Sequence, residues 1–481
     1  MSSPIGLFET SSDIGAVRLA GSSRFNQARS SYSIEGAGEN IWGSRDEFHF
    51  LWRRHAGDVA LECSLDWITP PRGNRHRKGG VMLRAGLEPD APFACIAVHG
   101  SGLVALQFRR ERGGPTASIP TSIPAPVTVR IERHGDVVSA DVARRGGPFH
   151  PLAALTVPLP QSVHAGLFLC SHDAGRIEAA DFTGVSLRSV GVVEAAARTV
   201  ESTLETVDTE TGERSVVFRS RSHFEAPNWS RDGKALYYNG GGNIYRLPLD
   251  GGEPVRIDTG GIQCNNDHGL SPDGKTLVIS GRPGSAGQSQ IFLLPATGGT
   301  PRLITPLAPS YWHGWSPDGT TLAYCASRSG EYDIYTIPVE GGEERRLTNS
   351  PGLDDGPDYS ADGRFLYFNS ERSGLMRIWG MKADGSDQEM VSQGPESADW
   401  FPHPSPDGRW IVYLSYDRSV KGHPANKDVT LKIMPAPGGP ARVLATLYGG
   451  QGTINVPSWS PDSRKCAFVS YRLVAPRKEE Q

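Results

Sequence analysis

Alternating hydrophobic and polar positions recur along the N-terminal part of the chain, and they predict strands rather than helices. The segment DVALECSLDW places Val59, Leu61, Cys63 and Leu65 at every second position. This is the periodicity of a strand with one buried face. Similar runs follow up to residue 188, without helical spacing between them. We therefore predict a β-sandwich over residues 1–188.

Behind residue 200 a short turn motif returns at nearly constant intervals. It occurs as SRDG at 230, SPDG at 271, 316 and 405, SADG at 360 and SPDS at 460. The intervals of 41, 45, 44, 45 and 55 residues each match one four-stranded blade of a β-propeller. Aspartate and glycine suit such a turn, because aspartate bonds its own backbone and glycine accepts a positive φ.

The last repeat, NVPSWSPDSRKCAFVSYRLV, contains only two strands. The segment STLETVDTETGERSVVF (202–218) supplies two more strands ahead of the first complete repeat. Joining the two ends in one blade would hide both free strand edges. We therefore predict an all-β protein with a six-bladed propeller over residues 202–481, closed by strands from both ends of the array. A linker at 189–201 would connect it to the sandwich.

The propeller repeats resemble the TolB-type (WD-repeat-like) repeat, xWSPDGxxLxFxSxRxGxxDIYxMxxDGGxxxxLT, over about residues 202–473. This resemblance implies TolB-like blades, and such blades serve scaffolds, receptors and enzymes alike. Periplasmic TolB itself uses this kind of propeller to bind other proteins.

The N-terminal segment around Asp13, Trp42, Asp46 and Phe48 resembles the opening of concanavalin-like jelly rolls, which are often joined to carbohydrate-active domains. In such a domain a concave face could bind a ligand, and its candidate residues are Trp52, Arg84, His99 and Arg109.

Composition and charge exclude several classes of partner. The formal net charge is −4 and positive charge is not clustered, which disfavours nucleic-acid binding. No apolar stretch approaches the ~18 residues of a membrane helix. The first residues carry no signal-peptide pattern, so we expect a cytoplasmic protein, or a periplasmic one if a leader was removed. The six cysteines are predicted to be buried free thiols.

Polar residues occupy the segments that open the innermost strands, where a blade reaches the mouth of the central channel. Aligned on the repeated serine, His268 and His313 replace a proline, and His403 lies one position later. We predict that these three histidines converge and hold one divalent metal ion (Mn, Ca or Zn), since imidazole is a common metal ligand. Neutral histidines bonded to carbonyls, or acid/base histidines without metal, are the alternatives.

Further candidates lie on the same predicted face. The insertion YDRSVKGHPANKDVTL (416–431) carries His423 and Lys427, which we expect to join Asp267 and Asp355 as catalytic residues. The predicted substrate-binding residues are Asn265, Asn266, Tyr311, Trp312, Asp354, Trp400, Asn455, Arg282, Arg328 and Arg372. Packing is the alternative for the two tryptophans, turn capping for Asp354, and structural ion pairs for the arginines.

Histidine, carboxylate and arginine side chains at one mouth favour acid/base chemistry on an acidic, polyhydroxylated substrate. Oligogalacturonate lyases are similar in kind, with TolB-like blades and a histidine-bound metal, although they have seven blades. We predict a carbohydrate-active enzyme, a polysaccharide lyase or glycoside hydrolase, acting on an oligosaccharide. Asp267 and Asp355 would be the carboxylate pair of a hydrolase. The alternative is a non-catalytic scaffold that binds protein or sugar.

Overall fold

The computed structural model describes residues 4–68, 73–190, 199–284 and 287–474, which fold almost entirely into β-strands. They divide into two compact units, one formed by residues up to 199 together with those from 472 onward, the other by residues 200–471. No helix in the described ranges is long and apolar enough to cross a membrane. Most of the predicted linker, at 191–198, lies outside the described residues. The all-β prediction is confirmed.

The N-terminal unit contains two seven-stranded antiparallel sheets. The first has the order Thr10–Ile14, Phe48–Ala56, Ser162–Cys170, Lys78–Arg84, Phe93–His99, Val104–Arg109 and Ala117–Pro120. The second has the order Phe149–Thr156, Val137–Arg144, Val127–His134, Val59–Trp67, Asp173–Ser189, Ser31–Gly38 and Ser22–Asn26. Alternate side chains of both sheets, such as Leu51, Leu61, Val81 and Val129, form one shared core. A short pair of strands, Ile41–Trp42 and Arg45–Asp46, stands apart from both sheets.

The first sheet carries a second hydrophobic cluster, separate from the shared core, which includes Phe50, Met82 and Phe168. Beside it Asp46 binds the guanidinium groups of Arg84 at 2.7 Å and Arg109 at 2.8 Å, and all three residues are fully buried. Two of the predicted concave-face candidates, Arg84 and Arg109, are thus engaged in holding Asp46.

The C-terminal unit is a propeller, and the predicted six blades are confirmed. Blades one to five are four-stranded sheets, and in each blade the chain runs from the inner strand to the outer strand. Blade one is Phe224–Trp229, Ala235–Gly240, Asn243–Pro248 and Val255–Arg256. Blade two is Ile262–Leu270, Thr276–Pro283, Gln290–Pro295 and Arg302–Leu303. Blade three is Ser310–Trp315, Thr321–Ser327, Tyr332–Pro338 and Arg345–Arg346. Blade four is Asp354–Tyr359, Phe365–Ser370, Arg377–Lys382 and Glu389–Met390. Blade five is Ser397–Pro404, Trp410–Asp417, Lys427–Pro435 and Arg442–Gly449.

Blade six draws its strands from distant parts of the chain. Thr199–Asp208 lies between Arg214–Ser220 and Lys465–Val474 in one sheet, and Trp459 forms a bridge with Cys466 on the inner side. A single-turn 3-10 helix, Gln451–Thr453, precedes this last segment.

The repeated motif closes the same turn in every blade. In blade three, Ser316 Oγ donates to Asp318 Oδ1 at 2.6 Å, and that oxygen also accepts the Thr320 N–H at 3.0 Å. Ser316 Oγ in turn accepts the Thr321 N–H at 2.9 Å. The same set of bonds is formed at Ser230, Ser271, Ser360, Ser405 and Ser460. Local side-chain chemistry therefore sets the repeat.

A β-bulge interrupts the inner strands of blades one to five, and its size differs between blades. In blade two, Cys264 pairs with Gly281 and His268 with Ile279, so four steps on the inner strand match two on its neighbour. In blade three, Trp312 pairs with Tyr324 and Gly314 with Ala323, so two steps match one. Because bulges re-aim side chains, they decide which inner-strand residues point toward a cavity.

Candidate functional site

A cavity of about 350 Å³ lies near the starts of the inner strands of blades two to four. The residues that line it are Asp267, Tyr311, His313, Cys325, Tyr332, Leu353, Asp355, His423 and Gln451. We call this space the mouth cavity. Five of these residues were predicted as site residues from the sequence: Asp267, Tyr311, His313, Asp355 and His423.

His313 is held in the mouth cavity as a cation. Its Nε2 lies 3.2 Å from Asp355 Oδ1 and its Nδ1 lies 3.2 Å from the carbonyl oxygen of Asn455. Both neighbours can only accept hydrogen bonds, so both ring nitrogens carry protons. Burial opposes this charge, but the carboxylates of Asp355 and Asp267 outweigh burial and raise the pKa of His313 to about 9.

Asp267 is the second charged group of the cavity, and it is 2% exposed. Its two carboxyl oxygens accept the side-chain amides of Asn265 at 2.8 Å and Asn455 at 2.9 Å. Burial raises the pKa of Asp267 to about 7, and the imidazolium of His313 only partly offsets that effect. This carboxyl group can therefore gain or lose a proton near neutral pH.

Asp355 behaves differently although it is also buried. Burial would raise its pKa, but the charge of His313 and a hydrogen bond from that ring hold the pKa of Asp355 below its usual value. At neutral pH the cavity therefore combines an ion pair, His313 with Asp355, and one titrating carboxyl group.

His423 reaches the mouth cavity from the insertion in blade five, as expected. Its ring packs edge-on against Trp400, with centroids 4.6 Å apart, and against Phe401 at 5.4 Å. Lys427, by contrast, is exposed and does not line the cavity; it begins the third strand of blade five opposite Gly449. The insertion thus supplies one of the two predicted groups to the cavity.

Sequence reasoning missed four lining residues: Cys325, Tyr332, Leu353 and Gln451. Tyr332 begins a third strand, and its ring lies 6.2 Å from that of Tyr311. Its position directly after the turn between second and third strands was the one available signal. Burial raises the pKa of Tyr311 to about 12, so its phenol stays a proton donor.

A second cavity of about 680 Å³ adjoins the first and shares Tyr311 and Gln451 with it. We call it the amide cavity, since its polar lining includes the amide side chains of Asn239, Gln263, Asn265, Asn266, Gln288 and Gln451. The predicted substrate-binding residues Asn265, Asn266 and Arg282 line this space. Asn265 therefore lines the amide cavity while its side chain holds Asp267.

The three histidines of the predicted metal site do not form a set of metal ligands among the described residues. His268 is fully buried with Nδ1 3.2 Å from the Asn266 carbonyl, and burial lowers its pKa to about 4. His403 contacts Asp358 at 3.1 Å and the carbonyl oxygen of Ile454 at 2.8 Å. A nitrogen that faces a carbonyl donates its proton and has no lone pair for a metal, which excludes Nδ1 of His268 and Nε2 of His403 as ligands. Nε2 of His268 is buried without a hydrogen-bond partner among the described residues. Within the described ranges, no group of three His, Cys, Asp or Glu side chains has the geometry to hold a metal ion.

Several predicted substrate contacts are packing or ion-pair residues. Trp312 is 1% exposed, and its Nε1 donates to the Gly314 carbonyl at 3.1 Å. Trp400 is equally buried and supports the ring of His423.

The arginines that follow the second strands of blades three and four form ion pairs within their blades. Arg328 binds Glu344 at 2.6 Å, and Arg372 binds the buried Asp354 at 2.8 Å. These pairs lie outside the lining of both cavities. Asn455, also predicted as a contact, is fully buried and orients both Asp267 and His313.

The fold and these contacts define a six-bladed β-propeller with an acid/base cluster at the starts of its inner strands. Residues 306–435 match the family of TolB beta propeller domains. The uncharacterized protein Atu1656 from Agrobacterium fabrum is 49% identical over 274 residues, which are 56% of this chain and 93% of that protein. The chain therefore belongs to the TolB-like β-propeller family.

A solved structure from Agrobacterium tumefaciens, described provisionally as TolB, is 49% identical with a TM-score of 0.56, covering 57% of this chain and 99% of that one. The Tol-Pal system protein TolB of Francisella tularensis is 25% identical over 243 residues, 49% of this chain. The chain spans 54% of the length of that TolB protein. An oligogalacturonate lyase in complex with manganese is 17% identical, with a TM-score of 0.37 over 56% of this chain and 78% of that one; this likeness concerns the fold alone.

Proposed function

We propose that this propeller is a carbohydrate-active enzyme that moves a proton in the mouth cavity while breaking a bond of an acidic oligosaccharide. One observation carries the proposal: the buried carboxyl group of Asp267, whose pKa is raised to about 7, lies within the electrostatic influence of the imidazolium of His313. A group that titrates near the working pH is the kind that general acid–base catalysis requires.

Elimination from a uronic acid uses these groups in a simple order. Ionised Asp267 takes the proton from the carbon next to the substrate carboxylate, and that electron pair forms a carbon–carbon double bond. The bond to the leaving oxygen breaks, and the phenol of Tyr311 supplies its proton. The His313 imidazolium stabilises the negative charge that develops on the substrate. The predicted divalent ion has no ligand set among the described residues, and no step is assigned to it.

A lyase is favoured over a hydrolase because the two carboxyl groups are unequal. Hydrolysis by paired carboxyl groups needs both to act on the substrate or on a water molecule. Asp355 is already committed to His313 at 3.2 Å, which leaves Asp267 as the exchangeable group.

The test is a screen of acidic and neutral oligosaccharides with the full chain. A lyase forms an unsaturated uronate that absorbs ultraviolet light, whereas a hydrolase forms only new reducing ends. The isosteric variant Asp267→Asn should lose ~10²-fold or more of the turnover. The wild-type rate should rise as the pH passes through about 7, where Asp267 ionises.

The matched control is Asp250→Asn, which changes an exposed aspartate of blade one. It should keep full turnover. If Asp267→Asn turns over substrate as fast as the wild type, Asp267 is not the base and the proposal is wrong.

A binding scaffold is the second candidate function. It is favoured by several matching relatives that are named TolB proteins of the Tol-Pal system. For a scaffold, Asp267→Asn would leave partner binding unchanged, and the oligosaccharide screen would give no product.

We also propose two features of the fold, a concanavalin-like N-terminal domain and a propeller ring closed by both ends of its sequence. The shared core of the two N-terminal sheets supports a concanavalin-like jelly roll. The sheet of blade six, with strands from 199–220 beside Lys465–Val474, supports a ring closed by both ends of the propeller sequence.

A further inference from the structure

The N-terminal unit contains a pair of buried basic residues that the propeller chemistry does not involve. Lys78 and His99 are directly opposite each other on neighbouring strands of the first sheet, so their side chains lie on the same face. Cys170 pairs with Lys78 on the other side and belongs to the second hydrophobic cluster. Lys78 and His99 are therefore on the face of this cluster, and they are 4% and 6% exposed.

The ammonium group of Lys78 has only neutral partners. Its Nζ donates to Asn40 Oδ1 and to the Ile41 carbonyl, both at 2.9 Å, and lies 5.4 Å from the ring centroid of Trp42. No carboxylate in the described part of the chain forms an ion pair with it. An ammonium group has three donors, so one is left over. Burying such a charge without a counterion is unfavourable, and burial lowers the pKa of Lys78 accordingly.

His99 is the more unusual member of the pair. Neither of its ring nitrogens has a hydrogen-bond partner among the described residues, although both are buried. Buried polar atoms nearly always have a partner, so two orphan nitrogens on one ring indicate an occupant that bonds to them.

Other basic side chains lie near this pair. The ring of His172 lies 5.4 Å from that of His76, and burial together with Lys78, His76 and His172 lowers the pKa of His99 to about 4. The nearby carboxylate of Asp46 is already neutralised by two arginines. The missing occupant should therefore be negatively charged.

We propose that Lys78 and His99 bind the oxyanion group of a small ligand, a carboxylate or a phosphate, with His76 and His172 beside it. The 45% exposed ring of Trp42 next to Lys78 provides an apolar surface for the rest of that ligand, such as one face of a sugar. This site lies in the N-terminal unit and does not depend on the function proposed for the propeller.

The experiment follows the histidine ring signals of the full chain by NMR during titration with a hexuronate, a sugar phosphate and inorganic phosphate. We expect the signals of His99 and His172, assigned with His99→Gln and His172→Gln, to shift and saturate with at least one probe. A response to the hexuronate alone identifies a carboxylate ligand, and a response to the two phosphates identifies a phosphate ligand. If none of the three probes moves these signals, the proposal is wrong.

Lys78→Met tests the role of the ammonium group. It should weaken anion binding at least tenfold, while its melting temperature without ligand stays the same or rises, because an uncompensated buried charge is gone. Lys275→Met, which changes a side chain that is 83% exposed on a propeller turn, should bind as the wild type does.

A purely structural Lys78, tying residues 40 and 41 to the sheet, would give a lower melting temperature in Lys78→Met. In that case His99→Gln decides the question, since the His99 side chain makes no hydrogen bond with any described residue. Loss of binding in a normally melting His99→Gln supports the site, and unchanged binding in that variant overturns it.

Discussion

Replacing Asp355 with asparagine should convert His313 from an imidazolium to a neutral imidazole at pH 7. The substitution keeps the size of the side chain but removes the charge 3.2 Å from Nε2. Burial then acts on the ring with only Asp267 and the carbonyl oxygen of Asn455 opposing it. We expect the pKa of His313 to fall from about 9 toward its usual 6.5 or below.

The size of the effect follows from the two pKa values. The step from 6.5 to about 9 corresponds to about 3 kcal/mol of stability. Because the folded state holds this proton more tightly, the stabilisation is complete below pH 6.5 and is lost as the pH rises through 9. Between about pH 6.5 and pH 10 the variant should therefore gain about 3 kcal/mol of stability relative to the wild type. Asp267 is present in both proteins, so its own titration largely cancels in the difference.

The assay is urea unfolding followed by tryptophan fluorescence at several pH values between these limits. NMR of the histidine rings gives the pKa of His313 directly, with His313→Gln to assign its signal. Asp250→Asn, the exposed control, should show no pH-dependent difference from the wild type. A stability difference that stays constant over this pH range would refute the reasoning, as would a wild-type His313 that titrates near 6.5.

Two further predictions concern the fold. Deleting residues 466–481 removes most of the strand beside Thr199–Asp208, so the propeller should lose its cooperative thermal transition; deleting only 475–481 should leave that transition in place, and an unchanged transition in the longer deletion would contradict ring closure. Ser316→Ala removes two hydrogen bonds of the blade-three turn and should cost about 1–3 kcal/mol in urea unfolding. The exposed Ser329→Ala should cost almost nothing, and an equal loss in both variants would show that the turn bonds do not matter.

The repeats could be predicted from the sequence because their determinants are local. Each turn is closed by a serine and an aspartate two residues apart, as Ser316 and Asp318 show. Such a motif is visible in one sequence; its period gives the length of a blade, and its six copies give the number of blades. Aligning the repeats on this serine placed Asp267 and His313 in strand openings and His423 in the insertion. These three residues do line one cavity.

Which inner-strand residues line the mouth cavity could not be predicted, because this depends on the bulges. His268 and His313 each stand three positions before the repeated serine. The bulge of blade two contains one more extra residue than that of blade three, so the equivalence in sequence is not an equivalence in space. In blade two it is Asp267, not His268, that lines the mouth cavity. The size of a bulge depends on pairing with the neighbouring strand, which the spacing of residues does not encode.

Other predictions stay predictions, for a similar reason. The cellular location, the oligosaccharide substrate and the domain boundaries at 188 and 202 depend on partners or long-range contacts rather than on local patterns. Arg328 and Arg372 illustrate why the role of a residue could not be predicted from a local pattern. Their positions suited an anion site, but each is paired with a carboxylate of its own blade.

Blade six takes its strands from distant parts of the chain, and this affects when the propeller can fold during synthesis. The strand Thr199–Asp208 leaves the ribosome long before its neighbour Lys465–Val474 exists. During all of that interval one edge of the early strand has no partner, and such edges are prone to pair with other chains. The sheet of blade six can be completed only after residues 465–474 have been made. A message truncated before the codons of that strand would therefore yield a chain with an open sheet in blade six, and such a chain is a target for chaperones and proteases.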